Sequence, residues 1–339
     1  MHEFVRALLS LAPVFLFLVA LFALDSFKLV RPGSLVRAIV TGALIAVGCL
    51  LLARWVIGSG WLDKTTYLRY VAPLVEETAK ALVVVHLIRT KRVGFMVDAA
   101  ILGFATGSGF AAAENLYYLS SISDANLLLW GVRGFGTAVL HGGCTAVVAI
   151  VSKLLADLRT GERIPVFLPG LAIAVVTHAL FNCFVLPPVA FTLLLVASFP
   201  PLVFAVFARS ERLLRDWLEV GLASDVDLLD MLRSGEVKDT RVGQYVRTLR
   251  DRFPGEVLGD MLCYLQMSVE LKIKAKGRLL MKEAGFAPAP DPAIGDLFRE
   301  LTFLEKSIGA TGKLALGPFL HWTPRDLWGL RMLKASASG

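Results

Sequence analysis

The chain has 339 residues, 56% of them hydrophobic and 19% charged, and its mean hydropathy is +0.66. Soluble domains carry about 45–50% apolar residues, so the composition excludes a soluble enzyme and points to a polytopic membrane protein. The net charge of +7 and pI near 9.3 need no nucleic-acid partner, because membrane proteins gather Lys and Arg on cytoplasmic loops.

Seven apolar runs follow one another: Phe4 to Leu24, Leu35 to Ile57, Tyr67 to Ile88, Phe95 to Leu119, Leu127 to Leu155, Val166 to Leu186 and Val189 to Ala208. Each reaches the roughly 20 residues that cross a hydrocarbon core. The first is longer than a signal-peptide core and shows no small-residue cleavage site before Asp25, so it is expected to remain as a span. The fold class that follows is all-α: a bundle of about seven transmembrane helices in the lipid bilayer, with a helical C-terminal domain. The four cysteines, Cys49, Cys144, Cys183 and Cys263, have neither CxxC spacing nor the pattern of a disulfide scaffold.

Bases alternate between the two sides of such a bundle. One side carries Lys28, Arg31 and Arg37, then Arg89, Lys91 and Arg92, then Lys153, Arg159 and Arg163, then Arg209, Arg212 and Arg215. The other carries Arg6, then Arg54, Lys64 and Arg69, then Arg133, then the bare turn at Pro187-Pro188. The bias predicts an N-terminus outside and a C-terminus in the cytoplasm.

After Ala208 the composition turns charged and polar with helical periodicity, which predicts domains at 1–209 and 210–339. Breaks are expected at Phe253-Pro254-Gly255 and from Ala287 to Pro292. This tail holds no phosphate loop, metal cluster or nucleophile motif and reads as a scaffold or partner-binding domain.

The third run contains Val75-Glu76-Glu77-Thr78-Ala79-Lys80. A carboxylate inside a bilayer is costly unless paired, hydrated or bound to a cation, which makes an intramembrane Glu-Glu a candidate functional site. A Glu76–Lys80 salt bridge at i,i+4 would account for only one of the two. The other polar residues in the runs are Asp98, Glu114 with Asn115, Arg133, His141, and His178 with Asn182. Asp98 and Arg133 lie near boundaries where they can pair or snorkel and read as structural; His86, near the cytoplasmic end of the third run, and the terminal His2 and His321 read as ordinary. With helices rising about 1.5 Å per residue, Glu77, Glu114, His141 and His178 come to similar depth in the outer half of the bilayer, from four different helices. Carboxylates and imidazoles are also ligands that zinc accepts. Gly103, Gly107 and Gly109, and Gly131, Gly134, Gly136, Gly142 and Gly143, suit close helix packing.

Taken together, Glu76-Glu77-Thr78-Ala79-Lys80, Phe110-Ala-Ala-Ala-Glu114 with Asn115, His141, and His178-Ala-Leu-Phe-Asn182 resemble the motifs of the PrsW family of intramembrane proteases, distantly related to the CAAX prenyl protease and bacteriocin-processing group. The resemblance covers about residues 67 to 186. It implies a metal-dependent or glutamate-dependent protease of the inner membrane that cuts a single-span membrane protein, typically an anti-sigma factor, at an extracytoplasmic position. Glu76 and Glu77, tuned by Lys80, would activate water. In the metal version Glu114, His141 and His178 are the expected zinc ligands; in the metal-free version His178 and Asn182 would donate to the oxyanion. Asn182 stands where several members have Asp. Two other readings remain open at this stage: a proton or metal-ion transporter built on the same Glu and His residues, and a membrane scaffold acting through its tail.

Overall fold

The computed structural model describes residues 2–23, 25, 29–122, 126–158, 164–234, 240–250, 252–289, 291–320 and 322–337. Lys28, Arg159, Arg163, the loop at Asp124 and His321 lie outside them, as does the side chain of His2. The described chain is helical, with no strand among these residues, and it divides into two compact units, Met1–Glu211 and Arg212–Gly339.

The first unit contains α1 (His2–Ala23), α2 (Pro32–Gly58), α3 (Ala72–Arg89), α4 (Met96–Ser121), α5 (Ala138–Leu158) and α6 (Leu168–Asn182). Helix α7 (Pro188–Ser234) carries residues of both units. Several helices begin as their sequences dictate. A proline occupies the first turn of α2, α3 and α6, where its missing N–H costs nothing. Asp98 is a buried N-terminal cap for α4: it accepts from the backbone N–H of Gly94 at 2.7 Å and Phe95 at 2.8 Å. Its structural reading therefore stands, through capping rather than snorkelling.

Each of the seven apolar runs is largely helical among the described residues, and five helical stretches there are long and apolar enough to cross a membrane: Glu3–Ala23, Pro32–Gly58, Met96–Ser121, Leu127–Leu158 and Pro188–Ser234. Helix α6 falls short through its 15 residues, and α3 through Glu76, Glu77, Lys80 and Arg89, the charges that single it out.

Helix α4 is the centre of the unit, packed on α1, α2, α3 and α5. Its apolar window is 89% buried against 17% for α2, so α2 is an outer wall. Glycines bring backbones together on both sides of α4. A Cβ at Gly109 would sit 1.9 Å from the Ile39 carbonyl oxygen of α2, and one at Gly107 would sit 2.1 Å from the His141 carbonyl oxygen of α5. Any side chain at these two positions would push the helices apart. Two π-helical stretches, Tyr67–Val71 and Val132–Thr137, lead directly into α3 and α5; such turns recur at functional sites because they re-aim the helix that follows.

The second unit is built on α9 (Gly255–Glu283), flanked in sequence by α8 (Arg241–Leu249), α10 (Ala293–Leu316) and α11 (Pro324–Ala337). Helix α9 starts just after Pro254 and α10 just after Pro292, where breaks were expected. Leu265, Val269, Leu304, Ile308 and Leu316 form its core. Two buried lysines of α9 are paired: Lys276 with Asp225 at 2.8 Å and Lys272 with Asp326 at 3.5 Å.

Candidate active site

Helices α3, α4, α5 and α6 bring Glu76, Glu77, Lys80, Glu114, His141 and His178 into one cluster. Glu77 is its innermost member, with 0% exposure. Its Oε1 accepts from Lys80 Nζ at 2.6 Å and from His178 Nδ1 at 2.8 Å. Lys80, also 0% exposed, lies 3.0 Å from His141 Nδ1 and 4.6 Å above the Phe110 ring. The salt bridge of α3 is thus Glu77–Lys80 at i,i+3, not the Glu76–Lys80 pair expected from i,i+4 spacing. The partner of Lys80 is decided from outside the helix: Glu77 faces inward to Lys80 and His178 Nδ1, while Glu76 faces the cavity.

These contacts fix the imidazoles. An ammonium can only donate, so His141 Nδ1 accepts from Lys80 and its Nε2–H donates to Glu114 Oε2 at 3.2 Å. His178 donates from Nδ1 to Glu77, which leaves the Nε2 lone pair facing Glu76 Oε2 at 3.9 Å. The two rings meet edge to face with centroids 4.9 Å apart. Phe110 packs on Lys80 and, at 4.8 Å between centroids, on His141, so the phenylalanine one turn before Glu114 forms the floor under both.

Glu76 and Glu114 are the carboxylates that reach open space. Both line a cavity of about 160 Å³ bounded by α2, the Tyr67–Val71 turn, α3 and α4. Glu114 lies 3.3 Å from an Arg133 guanidinium nitrogen. Arg133 also donates from Nε to Asn115 Oδ1 at 3.1 Å and stacks 3.7 Å from the Tyr118 ring centroid. Sequence position alone placed Arg133 at a membrane boundary; the fold sets it against the cluster, because the π-helical stretch that contains it turns it toward α4. Its signal in the sequence is a lone arginine among Gly131, Gly134 and Gly136.

Asn182 is not gathered with the others. It donates from Nδ2 to the Leu68 carbonyl at 2.9 Å. That carbonyl lacks a helical donor: the N–H of Ala72 is taken by the Tyr67 carbonyl, and the next residue, Pro73, has none to give. Asn182 thereby ties α6 to the π-helical turn.

Glu76, His141 and His178 each offer a ligand atom within 4.8 Å of the others. One carboxylate and two imidazoles are the donor set of a His₂Glu catalytic metal site, which keeps a fourth position open. A carboxylate on the far nitrogen of a ligand histidine is the usual support in such sites, and Glu77 stands so to His178. The residues present fit a metal by donor type and spacing, with His141 freed for it by release of either Lys80 from Nδ1 or Glu114 from Nε2. The resemblance implies Glu114, His141 and His178 as ligands, with one of the paired glutamates as base or fourth ligand; the group here contains Glu76, and Glu114 is placed on His141 Nε2.

A family model described as PrsW family intramembrane metalloprotease matches residues 31–208. No curated protein and no solved structure matches the chain. The matched segment is just over half of the 339 residues and holds every residue of the cluster. The chain is therefore a multi-pass membrane protein and a peptide hydrolase, and it belongs to the PrsW family of intramembrane metalloproteases.

Proposed function

We propose that the protein is an endopeptidase that cuts a single-span membrane protein near the outer face of the cell inner membrane, with an anti-sigma factor as the kind of substrate the family resemblance implies. The N-terminus lies outside and Arg212–Gly339 forms a cytoplasmic domain; the distribution of loop bases supports this orientation, and the division at Glu211 supports a separate tail. A reporter fused at the C-terminus should behave as cytoplasmic; an external signal would reverse the topology.

The observation that carries the reading is the division of labour between the adjacent glutamates. Glu77 is fully buried and its Oε1 is committed to Lys80 and His178, so it orients rather than reacts. Glu76 faces the cavity and His178 Nε2. Glu76, His141 and His178 would hold the metal, with zinc the ion that this donor set suits. When bound, such an ion polarises a peptide carbonyl and acidifies water. Glu114 is the remaining carboxylate at the cavity and takes the proton from the attacking water; Arg133 holds it in place. Lys80 balances the charge of Glu77 and accepts no role at the substrate.

The test separates ligands from base. Purified Glu76→Gln and His178→Ala should lose bound zinc and cleavage together. Glu114→Gln should keep zinc yet cut a co-expressed single-span substrate about 10²–10⁴-fold more slowly. Zinc lost in Glu114→Gln and kept in Glu76→Gln would exchange the two roles; full activity in protein stripped of metal would leave a glutamate mechanism.

A further inference from the structure

We propose that the cavity beside Glu76 and Glu114 seats one uncharged apolar side chain of the substrate, adjacent to the bond that is cut, and so sets the sequence preference of the protein. The inference rests on the proteolytic reading above and names the substrate class that this site accepts.

The cavity has the two carboxylates on one wall and, around the rest, mostly apolar side chains with the rings of Tyr67, Tyr117 and Tyr118. Ala46, Cys49 and Ala53 of α2, Tyr67 of the π-helical turn, and Phe110 and Ala113 of α4 line it together with the two carboxylates. Alanines at three of these positions leave the space that larger residues would fill. Its volume of about 160 Å³ compares with an apolar cavity of about 150 Å³ that holds one benzene, which matches a single leucine, methionine or phenylalanine side chain. No lysine or arginine lines it, so an acidic side chain would meet the Glu76 carboxylate with no cation in the lining to pair with. A basic side chain would find Glu114 already engaged by Arg133 and His141 and could pair only by drawing Glu76 away from His141 and His178. An apolar side chain seated here places its own backbone beside the two carboxylates, because they form the same wall.

The experiment uses the full-length protein in liposomes and synthetic single-span peptides. Mass spectrometry first locates the bond cut in a peptide with a mixed apolar span; the residues flanking that bond are then changed to Leu, Phe, Ala, Lys or Asp. At one flanking position, Leu and Phe should be cut about tenfold or more faster in kcat/KM than Ala, Lys or Asp, the scale on which apolar pockets discriminate. Ala46→Leu and Ala53→Leu, which fill the cavity from two points along α2, should each reverse the order so that Ala is preferred to Leu. Equal losses for Leu and Ala in both filled variants, or an unchanged preference in either, would overturn the pocket, as would faster cleavage with Lys. A second readout needs no cleavage: in Glu114→Gln, a diazirine leucine analogue walked along the peptide span should crosslink to Ala46, Cys49, Ala53 or Phe110. Crosslinks there with no cleavage by the unmodified protein would sustain the pocket and sink the proteolytic reading. Cleavage with crosslinks only outside the cavity would do the reverse.

Discussion

Lys80 Nζ lies 2.6 Å from Glu77 Oε1, three residues earlier on the same helix, and both side chains have no solvent exposure. A fully buried pair of this kind is sensitive to the loss of one partner, since the other is left as an uncompensated charge. Lys80→Met should lower the melting temperature in detergent sharply, a cost of about 3–5 kcal/mol on the scale of broken buried pairs. Lys80→Met combined with Glu77→Gln should recover most of that stability without recovering cleavage, as His178 loses its carboxylate partner. Equal melting of the single and double variants would show the pair to be unimportant for the fold.

Glu77→Gln alone tests orientation. An amide oxygen can still accept from Lys80 and His178, but the charge that supports the imidazole is gone. Removal of such supporting groups typically costs about 10–100-fold in metal affinity or activity, a smaller loss than the about 10²–10⁴-fold expected for Glu114→Gln. Zinc titration and cleavage rates measured on the two variants side by side decide the ordering.

Close packing of α4 on α5 predicts a strong effect from a single methyl group. In Gly107→Ala the new Cβ would lie 2.1 Å from the His141 carbonyl oxygen, so α5 must shift and carry His141 away from Glu114. Overpacking of this kind costs about 1–3 kcal/mol, and cleavage should fall with stability. Gly48→Ala, where nothing lies within 4 Å, is the control and should leave both unchanged.

Asn182→Asp probes the departure from the family pattern. A carboxylate cannot donate to the part-buried Leu68 carbonyl, which has no helical donor of its own; an unmet buried carbonyl costs about 1–3 kcal/mol, the upper bound here. Reduced thermal stability with zinc binding retained is the expected outcome. Lost zinc with unchanged stability would instead place Asn182 at the metal.

Much of this architecture was legible in the residues themselves. The apolar runs marked the helices α1 to α7, and Pro254 and Pro292 marked the starts of α9 and α10. The four helices that supply Glu77, Glu114, His141 and His178 were readable from depth alone, because rise per residue is fixed. Rotation about each helix axis was not. Whether Glu76 or Glu77 faces Lys80 turns on about 100° of helix, and that angle is set by neighbours: glycine contacts of α4, and π-helical turns ahead of α3 and α5. Arg133 reads in the sequence as a residue that can pair or snorkel, and which partner it takes was hidden for the same reason. Its position along the helix was right, but the turn that aims it at Glu114 leaves no pattern in hydropathy.

The burial of α4 bears on how the protein is made. This helix is synthesised after α2 but before α5 and α6, and it carries Asp98, Thr106, Ser108 and Asn115 as buried polar groups. While only α1 to α3 accompany it, the Gly107 face and Glu114 have no α5 to cover them. The nascent chain therefore passes through a stage in which a polar, glycine-lined face is held against lipid or against the insertion machinery. Arrival of α5 covers that face with the His141 backbone against Gly107, so the catalytic cluster is completed only when α5 has packed on α4.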